Sequence, residues 1–412
     1  MAYTVLARRY RSQSFDDVVG QEPVARTLKN AIATGRVAHA YLFTGTRGVG
    51  KTSMARIFAR ALNAPDTIEG TPRPPTPASE QRSDEERDEY PPLEVQQRMA
   101  DAIMRGDDLN VIEIDGASNN SVDQARQLIA NAGLSPTGHA HYKVYIIDEV
   151  HMLSTSAFNA LLKTMEEPPP HVKFILCTTE IHKVPATIQS RCQRFDFRNI
   201  ATQRIADHLA DVLQREQIEA DEQVVWQLAR LGNGSMRDAL SLLDRLIATG
   251  VSPLTPETLE QMLGLPPQQL VINLVDAFAA GDVKTALETT GELLARGISQ
   301  DQLIEVLIER LRQLMLIAAC GEASDLVELA EDARQQAASQ AKQFDPPALT
   351  YMIALCDSLQ RQAKSSPNPR ALLDAVVVRL ALAEKMADVA ALLAGGGGAT
   401  PEKKKPVTPA RA

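Results

Sequence analysis

The run Gly45-Thr46-Arg47-Gly48-Val49-Gly50-Lys51-Thr52 limits what this chain can fold into more than any other stretch. An apolar segment, Ala40 to Thr44, precedes it and reads as a short buried strand. Ser53 to Leu62 follows, with Met54, Ile57, Phe58, Ala61 and Leu62 on one helical face. Strand, glycine loop and helix in that order are the context in which G-x-x-x-x-G-K-[ST] makes a phosphate cradle. The glycines let successive N–H groups turn inward on phosphate oxygens, and the helix N-terminus adds partial positive charge. In such a cradle Lys51 reaches the β- and γ-phosphates and the Thr52 hydroxyl ligates Mg²⁺.

A second element lies downstream, at Lys143-Val144-Tyr145-Ile146-Ile147-Asp148-Glu149. An apolar strand ending in two carboxylates places them where strand ends in such sheets meet ligands. After a P-loop, Asp148 is the candidate to hold Mg²⁺ through water, and Glu149 to orient or deprotonate an attacking water. His151 reads as packing. A further strand, Phe174 to Cys177, ends in Thr178-Thr179, where a hydroxyl either senses a γ-phosphate or is ordinary strand chemistry. With Val111 to Asp115 and Phe195 to Phe197, these runs make five strands interleaved with helices. That pattern is a mainly parallel α/β sheet.

Around this core the chain is less regular. Residues 3–21 have no clean period and either wrap an adenine ring or pack as an ordinary arm. A helix with Val24, Leu28, Ala31 and Ile32 on one face follows. From Ala64 to Pro92 come seven prolines, eight acidic residues and three arginines. Such a segment cannot repay its ordering entropy, so a flexible, exposed spacer is expected. A helix over Leu93–Arg105 comes next. Ser121 and Gln124 form a capping-box start for another helix, with Val122, Ala125, Leu128 and Ile129. A helix carrying Ala157, Phe158, Leu161, Leu162 and Met165 is stopped by Pro168-Pro169-Pro170.

Beyond Thr202 the pattern is helical. Three helices carry Ile205 and Leu209, Val224 and Leu228, and Leu240 and Leu243, the third capped by Ser235. Arg237 in that helix's first turn faces an unfavourable dipole, so it needs an anion: a bound phosphate or a surface carboxylate. Thr255-Pro256 starts a short helix ending at Gly264. Past Pro266-Pro267, helices are expected near 268–280, 282–296, 299–320, 323–342, 346–364 and 368–393. Their wide apolar faces suggest packing, including between subunits. The division is then 1–198 for a P-loop core with the 64–92 insertion, 199–265 for a lid, 266–393 for an all-α domain and 394–412 for a linker tail.

At 412 residues the chain can bury several cores. Its net charge of −9 gives no global nucleic-acid footprint, so any such binding needs a local basic surface. The four cysteines are too scattered for a disulfide framework, which points to a reducing, cytoplasmic compartment. No apolar h-region or membrane-length run is present.

With these elements in place, the chain resembles the AAA+ ATPases. Within them it is similar to the tau/gamma clamp-loader family of bacterial DNA polymerase III. The likeness rests on Val19-Gly20-Gln21, the P-loop, Ile147-Asp148-Glu149-Val150-His151-Met152 and Phe158-Asn159-Ala160-Leu161-Leu162-Lys163. Glu166-Glu167-Pro168-Pro169, Ser190-Arg191-Cys192 and Gly234-Ser235-Met236-Arg237-Asp238-Ala239-Leu240 complete it. It is dense from residue 3 to about 245 and weaker beyond. The Ser-Arg-Cys motif is specific to clamp loaders among these ATPases.

The resemblance implies an α/β P-loop AAA+ domain with a five-stranded parallel sheet, a helical lid and an all-α oligomerisation domain. It implies ATP and Mg²⁺ as ligands, with Gly45 to Ser53 around the phosphates and Val18, Val19 and Gly20 around adenine. Thr179 matches the first sensor, Arg237 the second, and Arg191 the finger that completes a neighbour's site. The implied partners are delta and delta-prime subunits, further copies in a five-membered ring, the sliding clamp and primed DNA, in the nucleoid. Longer family members also bind the replicative helicase and the polymerase alpha subunit. The alternatives are another AAA+ motor, such as a helicase loader or branch-migration motor, and a scaffold that has lost hydrolysis. Two departures stand out. The family's four zinc-binding cysteines are missing from residues 64–110, which hold neither Cys nor His, so no zinc is expected. The chain also stops just after Gly395–Gly398, as a gamma-like short form or a truncation does.

Overall fold

A computed structural model describes residues 4–74, 90–118, 133–322, 324, 326–327, 329–364 and 366–383. The expected capping-box helix from Ser121 and the tail after 393 lie outside these residues, as does the middle of the 64–92 insertion. Contacts divide the chain between Leu254 and Thr255. The first unit opens with a one-turn helix α1 (Leu6–Arg9), then α2 (Glu22–Ala33), strand β1 (Ala40–Thr44) and α3 (Lys51–Asn63). Next come α4 (Leu93–Arg105), β2 (Val111–Asp115), β3 (Lys143–Asp148), α5 (Thr155–Glu166) and β4 (Val172–Thr178). The short α6 (Ala186–Gln189) and β5 (Gln193–Asp196) complete the sheet.

The five strands pair in the order β2-β3-β4-β1-β5, every pair parallel. In β1, all five residues are buried because both faces are covered. Alternate side chains go to opposite sides. Tyr41 and Phe43 join a cluster with Met54, Phe58 and Phe195, while Ala40 and Leu42 join one with Leu161, Phe174 and Leu176. The register sets Thr44 beside Thr178 and Asp115 beside Asp148, so the chemistry-bearing strand ends share one edge. As expected, α5 ends before Pro168-Pro169-Pro170.

The insertion is not solvent-exposed from its first residue. Ala64, Pro65, Ile68 and Pro74 are buried at its start, and Tyr90 and Pro91 at its end. Arg73 donates to both carboxylate oxygens of Asp66, at 2.9 and 2.7 Å, and lies over the Tyr90 ring. Tyr90 in turn stacks on His141 with ring centroids 4.3 Å apart. Composition averaged over the segment hid these anchoring residues at its two roots.

Three helices follow in the same unit: α7 (Thr202–Glu216), α8 (Glu222–Leu231) and α9 (Met236–Ile247). Ser235 caps α9 as read, its hydroxyl accepting from Asp238 N at 3.2 Å. The N-terminal arm is tied to this layer. Arg9 and Tyr10 both bind the Glu216 carboxylate, and Leu6 N donates to Asp244 at 3.4 Å.

The second unit is helical: α10 (Pro256–Leu263), α11 (Gln268–Ala280), α12 (Val283–Ala295), α13 (Gln300–Cys320), α14 (Glu331–Ala341), α15 (Pro346–Ala363) and α16 (Pro369–Ala381). Helix α10 clusters with these rather than with the lid, so the division falls at 254/255 instead of 265. Helix α14 begins at Glu331, not 323: Val327, Leu329 and Ala330 are buried in a non-helical connection ahead of it. A capping box at Ser299–Gln302 starts α13. Inside the unit, buried Arg310 donates to Gln340, which donates to Asp276 at 2.7 Å. Among the described residues no helix is long and apolar enough to cross a membrane.

Candidate functional site

The loop from Gly45 to Gly50 turns between β1 and α3 with backbone that only glycine adopts readily. Gly48 has φ +76°, and a Cβ there would lie 1.9 Å from the Ser235 hydroxyl oxygen. At Gly45 a Cβ would lie 2.5 Å from the Phe197 carbonyl oxygen. Thus the loop is pressed on one side by the end of β5 and on the other by the start of α9. Arg237 N lies 3.4 Å from Gly48 O, and Thr46 donates to Asn199 Oδ1 at 2.6 Å. The helix starts at Lys51, two residues before Ser53, where the sequence places its start, with Gly50 as its cap.

Lys51 is buried, and its ammonium donates to the carbonyls of Gly45 and Thr46, each at 2.7 Å. Burial lowers its pKa from the ordinary lysine range. Thr52 donates to Asp148 Oδ2 at 2.6 Å, joining the P-loop to the end of β3. A hydroxyl and a carboxylate are oxygen donors of the kind that Mg²⁺ takes beside phosphates. Glu149 follows with φ +44°, a left-handed conformation uncommon for a residue with a side chain. Its Oε2 accepts from Thr179 Oγ1 at 3.1 Å. The neighbouring Thr178 is fully buried and faces His151 Nδ1 at 3.1 Å.

A cleft of about 710 Å³ opens over the loop. Val18, Val19, Arg47, Gly48 to Ser53, Asp148, Glu149 and Arg237 all line it. Of the other residues singled out in the sequence, Gly45 and Thr46 form the base of the loop. Gly20 packs by Ile200, where a Cβ would stand 3.3 Å from the Ile200 side chain. Thr179 reaches the cleft through Glu149. The N-terminal arm packs on the domain through Phe15 and Val18, which sit in the core, and Val18 and Val19 also border the cleft.

Arg191 is not among the lining residues. It forms an ion pair with Glu166 and donates to Thr187 O at 2.7 Å. The turn that carries it is stiffened by Gln189, which donates to Ile181 O and Val184 O at 3.1 and 2.8 Å.

Several lining residues are not among the site candidates that the sequence offers. Tyr10, Arg11, Ile200, His208 and Met236 reach the cleft from the arm, the β5–α7 connection and the lid. Arg11 is half-buried, and desolvation, with Arg56 and Arg237 nearby, lowers its pKa. Burial likewise lowers the pKa of His208. Arg56 is satisfied by Glu113 and by Met104 O, both at 2.6 Å. The Arg237 guanidinium, expected to need an anion, has no hydrogen bond or ion pair among the described residues, while Lys51 and Arg11 share its cleft. Among the described residues, no carboxylate pairs with it.

Three family models together cover most of the chain. The model for the DNA polymerase III delta subunit matches residues 20–201. The ATPase lid domain of the DNA polymerase III clamp loader subunit matches 204–252, and domain III of DNA polymerase III subunits gamma and tau matches 254–394. A DNA polymerase III subunit gamma of Buchnera aphidicola is 38% identical over 318 residues, 77% of this chain and 81% of that one. The chain belongs to the gamma/tau family of DNA polymerase III subunits. The DNA polymerase III subunit tau of Bacillus subtilis is 39% identical over 383 residues, 92% of this chain and 63% of its own. That of Escherichia coli is 40% identical over 333 residues, 80% of this chain and 48% of its own. The chain thus spans from about half to under two thirds of those tau relatives. In gamma/tau terms, the lid and domain III meet at residues 252–254, where the structure also divides. The sheet, lid and helical unit are those of a P-loop AAA+ ATPase fold with an all-α C-terminal part.

Proposed function

We propose that this chain is an ATP-hydrolysing clamp-loader subunit of the DNA polymerase III holoenzyme, which loads the sliding clamp onto primed DNA. The observation that carries the reading is a division of catalytic groups. The cleft gathers Lys51, Thr52, Asp148 and Glu149, whereas Arg191 is held outside it by Glu166. A site built this way binds nucleotide in one protomer and is completed by an arginine from the next.

In this reading, Val18, Val19 and Gly20 border the adenine. The backbone of Gly45 to Ser53 and the Lys51 ammonium hold the phosphates, and Lys51 exchanges its two loop carbonyls for phosphate oxygens. Thr52 and Asp148 would hold Mg²⁺, which would offset the negative charge of the phosphates. Glu149 takes a proton from the attacking water. Thr179 orients Glu149, and Arg237 senses the phosphates from the lid. The lid helix α9 already meets the P-loop, where Arg237 N lies 3.4 Å from Gly48 O and Ser235 packs against Gly48. The partners of the assembly are delta and delta-prime subunits, further copies of this chain in a five-membered ring, the clamp and primed DNA. A longer form would add contacts to the replicative helicase and polymerase alpha subunit.

Another AAA+ DNA motor would share the cleft, but Ser190-Arg191-Cys192 and the match to gamma/tau domain III favour the clamp loader. Steady-state ATP hydrolysis separates the two. With delta and delta-prime subunits present, the rate rises when clamp and primed DNA are added together. Equal stimulation by DNA with no clamp would support the other motor.

A further inference from the structure

His151 holds a set of contacts beside the cleft that the roles above leave unused. It lies in the 3-10 turn Val150–Met152 directly after Glu149, and its side chain is only 6% exposed. Its Nδ1 is 3.1 Å from Thr178 Oγ1 and 3.4 Å from Glu149 Oε2. Its Nε2 is 3.3 Å from Glu180 Oε1. The ring thus lies between two carboxylates that come from the ends of different strands. Glu180 is fixed from its other side, because its N–H donates to Thr178 Oγ1 at 3.0 Å and its carboxylate pairs with Lys183 at 2.9 Å.

The oxygen of Glu149 that faces His151 is the one that accepts from Thr179. A ring that holds both carboxylates, Glu180 at Nε2 and that same Oε2 of Glu149 at 3.4 Å from Nδ1, carries a proton on each nitrogen. Two groups then anchor one oxygen of a carboxylate whose residue already occupies a left-handed turn. Glu149 itself lines the cleft. A base acts only when held in reach of the proton that it takes, and a long flexible side chain does not hold itself.

We propose that His151 is a positioning residue for Glu149: with Thr179 it pins Oε2, so that the other carboxylate oxygen is presented to the attacking water, while Glu180 on the far nitrogen fixes the ring. The inference rests on Glu149 being the base, and its test keeps the two apart. ATP turnover in the assembly with delta and delta-prime subunits, and the Kd of a fluorescent ATP analogue for the full chain, are measured for the parent, Glu149→Gln, His151→Ala, His151→Asn and His151→Gln. An asparagine amide reaches the place of Nδ1, and a glutamine amide the place of Nε2. His151→Ala lowers kcat by about 10-fold or more, part of what a general base supplies, with Kd changed less than about twofold. His151→Asn recovers most of that loss and His151→Gln little of it. Parent-like kcat in His151→Ala, with Glu149→Gln inactive, would overturn the positioning role alone. Equal kcat in the Asn and Gln variants would overturn it too, even if the alanine variant failed to fold. An active Glu149→Gln would instead remove the base on which the inference stands.

Discussion

In the assembled ring, Arg191→Ala lowers ATP hydrolysis by ~10³-fold or more while leaving nucleotide affinity close to that of the parent. The size follows from what a guanidinium contributes when it meets charge developing on the transferred phosphoryl group in a dry site. The sparing of affinity follows from position, because Arg191 lies outside its own cleft and pairs with Glu166 and Thr187 O. Rates in the assembly, set against analogue binding by the isolated chain, check both halves. A matching loss of binding in the isolated chain would contradict the role in trans. Arg191→Lys does not rescue, since an ammonium lacks the planar fork of donors.

Lys51→Ala acts on the opposite half of the site. It removes a buried cation at the base of the loop, which donates to the carbonyls of Gly45 and Thr46. Nucleotide binding weakens strongly and turnover falls by at least ~10²-fold, as loss of an electrostatic group aimed at transition-state charge demands. The fold survives, because α3 keeps its Gly50 cap and the bond from Met54 N to Gly50 O at 2.8 Å. Isothermal titration with ATP and a thermal melt, run together, check this. Retained hydrolysis at an unchanged Tm would show that the motor lies elsewhere.

The two effects differ in how legible their residues were. Lys51, Thr52 and Asp148 could be read from sequence because a phosphate cradle needs a fixed local spacing, and apolar runs mark both strands that flank it. The sheet was legible for the same reason: a strand covered on both faces carries a near-continuous apolar run, as Ala40–Phe43, Val144–Ile147 and Phe174–Cys177 do in β1, β3 and β4. Arg11 and His208 were not, because they reach the cleft through packing of an aperiodic arm and a distant lid. His151 was read as packing because a single histidine carries no spacing; only the fold sets Thr178 and Glu180 around it. The start of α14 was misplaced because buried apolar residues before Glu331 extend a helical stripe that the backbone does not follow. The anchoring of the insertion by Arg73, Asp66 and Tyr90 depends on His141, far along the chain.

The most direct test of the account is clamp loading itself. Labelled clamp is incubated with circular primed DNA, ATP, delta and delta-prime subunits, and either this chain or its Lys51→Ala variant; clamp that stays on the circle is then counted. The account predicts clamp on the DNA with the parent chain and ATP, and none with the variant or without ATP. Equal loading by the variant, or loading that ignores ATP, would contradict it.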